Sequence, residues 1–498
     1  MNQCLEGREL FWLTVGLSLV VFMQVLDSTI ANVALPTISG NLGVSISQGV
    51  WVITSFGVAN AISIPLTGFL AKRIGEVRLF LISTFLFVLA SWLCGLASSL
   101  GLLVFFRAFQ GLVSGPMIPL SQSLLLTCYP PAKHGLALAL WAMVIVTAPI
   151  LGPILGGYIS ENYAWGWIFF LNLPVGIVAL AICWHYLKNR ENITDKGPVD
   201  WMGIGLMVVG VASFQLMLDR GRDLGWFESM EILVLAAISF LALIYFLLWE
   251  KDEPHPVVEL SLFRYSNFSI GTLISCLAFI IYLGNSVLLP QLLQTQLGYT
   301  SITAGLAVAP IAFFPILLAP IVGKFASKLD MRILITISFL IFALTFYWRS
   351  LFNAQITFQS VFWPQLVQGI GVALFFMPLT TIVFSQLKPD MIAQASSLSS
   401  FLRTLSGAVG ASLTINLWER REAFYHQRLT EYFTLDRSNT IDWLHQTTHL
   451  GLPKHAAYAL AERLITQQAY IAASNEIFYV SAIIFVCLTG VIWLSKRV

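Results

Sequence analysis

The sequence predicts an all-α protein that crosses a lipid bilayer many times, and three observations carry that prediction. The first is composition: of 498 residues, 57% are hydrophobic and only 10% charged, with a mean hydropathy of +0.80. Soluble domains carry about 25% charged residues. The second is a series of apolar stretches, each near the roughly 20 residues that a spanning helix needs. Fourteen are read, at 11–35, 49–71, 79–97, 101–125, 135–160, 166–187, 202–219, 231–249, 268–292, 302–323, 331–349, 358–383, 394–417 and 472–494. The third is the sorting of Lys and Arg onto alternate connections.

With the N-terminus placed in the cytoplasm, the inner segments hold Arg8, Lys72, Arg73, Arg78, Lys133, Lys188, Arg190, Lys196, Lys251, Arg264, Lys324, Lys328, Arg332, Lys388, Lys496 and Arg497. The six short outer loops hold only Arg220, Arg222 and Arg349. That is a strong positive-inside bias, and an even span count puts both termini inside. The first stretch is too long for a signal-peptide core and is read as a retained helix.

Composition also narrows the function. A net charge of +2 is too small to suggest nucleic acid. The six cysteines show no paired spacing, so neither a disulfide framework nor a zinc site is expected. No cofactor is expected either. The sequence holds no Walker A motif, nucleotide fingerprint or hydrolase elbow. Any work the chain does is therefore expected to draw on an ion gradient.

Two parts of the chain echo each other. Pro65-Leu66-Thr67-Gly68-Phe69-Leu70-Ala71-Lys72 aligns without gaps on Pro320-Ile321-Val322-Gly323-Lys324-Phe325-Ala326-Ser327. Arg107-Ala108-Phe109-Gln110-Gly111 matches Gln365-Leu366-Val367-Gln368-Gly369. Spans 1–6 thus repeat as spans 9–14, with spans 7 and 8 inserted. Two six-helix halves of like orientation are a transporter plan. The expected boundaries are 1–190 for the N-terminal bundle, 191–265 for the inserted pair and its linkers, and 266–498 for the C-terminal bundle. On this alignment Asp27 falls opposite Ile281 or Tyr282, and Arg107 opposite Gln365, so the charges of the first half have no copies in the second.

Asp27 is the acid expected deepest in the membrane, the others falling in loops or at span ends. A carboxylate at that depth costs roughly 2.5–3.5 kcal/mol on insertion scales and is a functional candidate by default. It lies nine residues before Pro36, roughly 13 Å from the outer end of its helix, and Arg107 lies roughly 10 Å from the outer end of span 4. The depths match within a turn. Burial favours a neutral carboxyl and a nearby guanidinium favours a charged one, so a site with alternating access could load and release a proton here. The plainer reading is a static ion pair. Arg403, the other intramembrane cation expected, suits an anionic substrate group or caps buried carbonyls.

Other features are graded by position. The turn Gly68 to Arg78, with Lys72, Arg73 and Gly75, places cations at helix ends and suits a conformational latch on the inner side; positive-inside topology alone also accounts for it. Span 5 carries Pro149, Gly152, Pro153, Gly156 and Gly157. Gly152 and Gly156 share one helix face and permit close approach, and the prolines remove backbone donors, which suggests a hinge or a tight seal. Gln24, Asn32, Gln110, Gln122, Asn285, Gln291, Gln294, Gln365 and Gln368 are polar residues on apolar spans that could line a path. Buried amides also tie helices together, which is the plainer reading of any one of them. Trp165 and Trp167 are expected as interfacial anchors. The segment at about 418–471 reads as a long outer loop with helical spacing over 454–468, suited to docking a partner outside the membrane. Its four histidines lack ligand spacing.

With these residues assembled, the chain resembles the fourteen-helix drug:proton antiporters of the major facilitator superfamily, most closely the EmrB type of Gram-negative bacteria. The matching passages are Leu26–Ala34, Gly68–Arg78, Arg107 with Gln110-Gly111, Gly152–Gly157, Trp165–Phe170 and Leu218–Gly221. The chain departs from the wider pattern at Lys72, where Asp is common, and at Glu76-Val77, where a basic pair is common. The resemblance implies export of amphipathic hydrophobic compounds from the bacterial inner membrane, driven by proton entry. It also implies work with a periplasmic EmrA-like adaptor and a TolC-like outer-membrane channel. Two alternatives remain at this point: a dedicated exporter of one endogenous metabolite such as a fatty acid, and a polytopic lipid-modifying enzyme, for which no nucleophile or acid pair near the interface is evident.

Overall fold

The computed structural model describes residues 7–130, 133–190, 198–325, 329–388, 391–434, 437–450 and 452–497. Lys196 and Lys328, counted above among the inner charges, lie outside them. The described chain is helical throughout, with no strand. The first half comprises α1 (Gly7–Asn41), α2 (Trp51–Ile74), α3 (Glu76–Gly95), α4 (Leu100–Ser114), α5 (Met117–Cys128), α6 (His134–Asn162) and α7 (Asn172–Leu187). An inserted pair follows, α8 (Trp201–Gly221) and α9 (Met230–Asp252). The second half comprises α10 (Ser266–Gln296), α11 (Ser301–Val308), α12 (Phe313–Phe325), α13 (Met331–Arg349), α14 (Phe358–Phe384), α15 (Ile392–Tyr432), α16 (Ser438–His449) and α17 (Lys454–Val491).

Local chemistry explains the boundaries. Ser99, Asp200, Thr300, Asp330 and Thr357 each cap a helix by accepting a backbone N–H of its first turn. Span 4 is interrupted at Gly115-Pro116, and span 10 by a 3-10 turn through Pro310. Proline cannot donate to the helix ladder, so the helix re-forms beyond it.

Among the described residues, thirteen helices are long and apolar enough to cross a membrane, not fourteen. The missing one is α15, which occupies the place of span 13. Its membrane-depth stretch is rich in serine (Ser396, Ser397, Ser399 and Ser400 are all buried), and its far end is charged. Protein surrounds it there, so it does not need the apolarity of a lipid-facing helix.

The 418–471 segment is also corrected. It is not a loop. α15 runs on for 41 residues and α17 for 38, well past the roughly 20 that a bilayer requires. The two rods are tied by Arg421 to Glu476 at 2.6 Å, by His426 to Glu462 at 2.9 Å and by the Trp418 indole to the Tyr470 carbonyl at 3.0 Å. The helical spacing read over 454–468 belongs to α17 itself, and α16 packs against that helix.

Close helix contacts are made through glycines. A Cβ at Gly152 would stand 2.1 Å from Thr29 Oγ1, and one at Gly156 would stand 2.9 Å from the Ile30 carbonyl oxygen, so α6 lies directly against α1. The second half does the same: a Cβ at Gly410 would meet the Ile280 carbonyl at 2.1 Å, fixing α15 on α10. Between the halves, Gly68 packs on the Gln394 backbone, and its repeat partner Gly323 packs on the Leu136 backbone. Ser397 donates to the Ile64 carbonyl at 2.7 Å, and Ser396 donates to Gln122 at 2.7 Å. These contacts join the halves at the end of the bundle that carries both termini. The inserted pair packs on itself and, through α8, on α2 and α15. α9 leaves most of its apolar surface uncovered by protein, as a lipid-facing helix does.

Candidate functional site

Asp27 and Arg107 meet. Arg107 Nη1 donates to Asp27 Oδ2 at 2.6 Å, with the side chains 1% and 0% exposed respectively. The other carboxylate oxygen, Oδ1, accepts from Asn172 Nδ2 at 2.7 Å and from Gln110 Nε2 at 3.2 Å. Ser91 Oγ sits between these two amides, 2.7 Å from Gln110 and 3.1 Å from Asn172. Arg107 is held in turn: its Nε donates to the Val52 carbonyl at 3.1 Å, its Nη1 also donates to Gln110 Oε1 at 2.7 Å, and its guanidinium lies 4.2 Å from the Phe56 ring and 5.4 Å from the Phe169 ring. Five helices, α1, α2, α3, α4 and α7, thus converge on one carboxylate.

Each bond has a local origin. Arg107 and Gln110 are three apart on α4 and so share a face. Gly111 on the next register lets α4 approach α2, where an added Cβ would meet the Phe56 carbonyl at 2.3 Å. Desolvating an unpaired ion costs several kcal/mol, and a hydrogen-bonded partner of opposite sign offsets that cost. The cluster supplies both charge and hydrogen bonds.

Of the remaining expected residues, Gln365 and Gln368 lie together against Arg349, and Asn285 is buried nearby, donating to Ser481 at 2.9 Å. Gln122 is buried and bridges to Ser396 of the other half. Gln24 is buried on α1, with its carbonyl oxygen unpartnered by protein. Gln291 is half-buried, while Asn32 and Gln294 are exposed. The Arg403 guanidinium lies 5.7 Å from the Trp141 ring of the first half and 5.4 Å from Phe279. Pro149 is half-buried on α6; the side chain of Pro153 lies outside the described ones. A Cβ at Gly157 would make only ordinary contact with Ile302 of the second half, at 3.5 Å. In the turn, Lys72 and Arg78 are exposed, Arg73 half-buried and Gly75 buried, and Gly75 has φ +101°. Glu76 accepts from Ser123 at 2.8 Å. Trp167 is exposed, whereas Trp165 packs edge-on against Phe169.

Sequence reasoning missed Asn172 and Ser91, both polar residues on otherwise apolar spans. It also misplaced Arg349. Read as an outer-loop residue, Arg349 is 2% exposed and is the last residue of α13. Side chains on a helix lean toward its N-terminus, so a residue at the C-terminal end points back into the bundle. Arg349 Nη2 donates to the amide oxygens of both Gln365 and Gln368. Position by position the second half has no copy of Arg107, which stands opposite Gln365. With Arg107 opposite Gln365 and Gln110 opposite Gln368, the same spacing sets Ser91 opposite Arg349. The second half has an arginine, moved to the neighbouring helix.

Comparison with known proteins agrees with this architecture. The Major Facilitator Superfamily profile matches residues 17–411. The chain is 54% identical to the multidrug export protein EmrB of Escherichia coli strain K12, over 99% of this chain and 96% of that one. It is 56% identical to EmrB of Haemophilus influenzae over 99% and 97%. It is 53% identical to the fatty acid resistance protein FarB of Neisseria gonorrhoeae over 99% and 97%. Among solved structures, the human organic anion transporter MFSD10 superposes with a TM-score of 0.60 at 13% identity, covering 98% of this chain and all of that one, and shows the shared fold. On the profile match and on these identities, the chain belongs to the major facilitator superfamily and to the EmrB group within it.

Proposed function

We propose that the protein is a proton-coupled multidrug exporter working by alternating access, with Asp27 as the proton carrier and Arg107 as the group that tunes it. The observation that carries this reading is the pair itself: one fully buried carboxylate, held by an arginine and two amides from two other helices. Its relatives named for multidrug export support the substrate class. A proton reaching Asp27 removes its charge and with it the Coulomb part of its bond to Arg107. Arg107 keeps the Val52 carbonyl and Gln110. The tie between α1 and α4 weakens, and a tie that is strong in one packing and weak in another biases an equilibrium between packings.

We read the chain as two six-helix bundles flanking an inserted pair, divided near 190 and 265, in a bacterial inner membrane with both termini cytoplasmic. The contacts of Gly68 and Gly323 across the halves then form the inner seal, and the Gly68–Arg78 turn its latch. The extended ends of α15 and α17, with α16, stand on the periplasmic side, where an EmrA-like adaptor leading to a TolC-like channel would meet them.

The test is proton release on adding candidate drugs to purified protein, with Asp27→Asn as control, together with drug transport in vesicles under an imposed pH gradient. Export against a gradient with normal pH dependence in Asp27→Asn would rule out the assignment. The FarB relative favours a second reading, a dedicated exporter of fatty acids. Competition between chemically unrelated drugs for transport separates the two.

A further inference from the structure

The second half holds an arginine with no acid. Arg349 is 2% exposed, and among the described residues no ion pair includes it. Its Nη2 is taken by the amide oxygens of Gln365 and Gln368, and its Nε finds no protein partner. Phe346 lies 5.4 Å beneath the guanidinium. Carbonyl dipoles and a ring face orient a guanidinium, but they do not neutralise it. Leaving a buried charge uncompensated is among the costlier things a fold can do.

The surroundings are shaped for a counter-ion. Arg349, Gln365, Gln368, Asn285, Tyr282 and Ser286 line a small internal cavity of about 10 Å³, about the space of one water-sized group. In the first half Arg107 and Gln110 face the Asp27 carboxylate; in the second half their counterparts Gln365 and Gln368 share this cavity with an amide, Asn285. Asn285 Nδ2 already donates to the Ile281 carbonyl and to Ser481 Oγ and its Oδ1 has no protein partner, so the donor left over for an anion is Arg349 Nε. Tyr282 joins the cavity to Phe279 and Phe376, whose rings lie 6.4 Å from its own, so an apolar wall adjoins the polar floor.

We propose that this cavity is a site for a small monovalent anionic group, one that supplies the negative charge that Asp27 supplies in the other half. Two sources share that chemistry: the carboxylate head of an amphipathic compound, its chain laid along the aromatic wall, or a free halide. The site stands on geometry of the second half alone. Only its use as a substrate subsite rests on the exporter reading.

The experiment is thermal unfolding of the purified, detergent-solubilised full chain in low-chloride buffer, titrated separately with sodium decanoate, decanol and sodium chloride. Decanoate or chloride is expected to raise the Tm of the unsubstituted protein, and decanol is not. A response to decanoate that chloride does not reproduce assigns the carboxylate; a response to chloride alone assigns the halide. In Arg349→Gln the apparent affinity for the effective anion should fall by roughly ten- to a hundredfold, the scale of a lost charge-assisted hydrogen bond. Should Arg349→Gln not fold, Gln365→Glu gives the arginine an internal carboxylate and should abolish the response in a stable protein. The proposal is overturned if neither anion acts on the unsubstituted protein, or if Gln365→Glu responds as the unsubstituted protein does. Proton release by a cationic drug, measured on Gln365→Glu, reports on the Asp27 reading independently.

Discussion

Arg107 holds Asp27 at 2.6 Å inside a site with essentially no solvent exposure, and the bond ties α4 to α1 within the first half. The geometry of that bond depends on a third residue. Asn172, on α7, supplies the shortest bond to the other carboxylate oxygen, 2.7 Å. Asn172→Ala should therefore lower proton-coupled drug transport severalfold and cost about 1.5–3 kcal/mol of stability, the range for a lost hydrogen bond to a charged group. Transport in vesicles and thermal unfolding check this, and unchanged transport would show that Asn172 is packing alone.

The α1–α6 seam allows a direct test. A methyl at Gly156 meets the Ile30 carbonyl oxygen at 2.9 Å, and one at Gly152 meets Thr29 Oγ1 at 2.1 Å and Thr29 Cβ, which no rotamer change moves, at 2.8 Å. Gly156→Ala and Gly152→Ala should each cost about 1–3 kcal/mol, the range for overpacking. Comparing their Tm values with that of the unsubstituted protein decides whether α1 and α6 touch as described.

At the end of the bundle with both termini, Gly68 and Gly323 should act as a pair. Each abuts backbone of the opposite half. Gly68→Leu and Gly323→Leu should each favour opening at that end. A cysteine placed at Ser397, buried in the same seam, should label faster with a membrane-impermeant maleimide in either variant. Equal labelling rates would show that the seam does not gate access.

A pH effect is expected at the N-cap of α13. Arg332 bonds the Asp330 carboxylate through Nε at 3.1 Å and Nη2 at 2.9 Å, and holds it below its ordinary value. A carboxyl lowered on folding contributes stability that is complete above the unfolded value, near 4, and fades as pH falls through the lower folded one. The Tm advantage of the natural protein over Asp330→Asn should be full at pH 5 and shrink toward pH 3. A pH-independent gap would assign the effect to helix capping alone.

The helical extension should be separable from the membrane bundle. Replacing 434–451 with a short flexible link removes α16 and leaves the ties of Arg421 to Glu476 and Trp418 to Tyr470 in place. Transport in vesicles and Tm should hold, while drug resistance in cells and recovery of an EmrA-like adaptor with the protein should be lost. Full resistance would place the docking surface elsewhere.

Particular residues show how far sequence reached. Asp27 and Arg107 could be paired by depth because a helix advances 1.5 Å per residue, and the count from each helix end needs no neighbour. Gly152 and Gly156 could be read as a contact face from their spacing, but not which helix they touch. Arg349 defeated the same arithmetic: depth counted from its Cα puts it at the surface, while its side chain leans back a turn into the bundle. The extent of α15 and α17 was obscured because their far ends are charged, and composition separates lipid-facing from water-facing chain better than helix from loop.

The sequence by itself determined the membrane class, the repeat and the single deep acid, since all three follow from how apolar and charged residues are distributed along the chain. Tertiary structure alone decided the partners. Asn172, Ser91 and Val52 reach the Asp27 cluster from helices far apart in the chain, and Gln365 and Gln368 reach Arg349 across the α13–α14 contact. Periodicity states which face of a helix is buried, but the neighbour it is buried against depends on how all the helices pack at once. For that reason the acid could be named from the sequence, while the unpaired arginine of the other half became visible only in the fold.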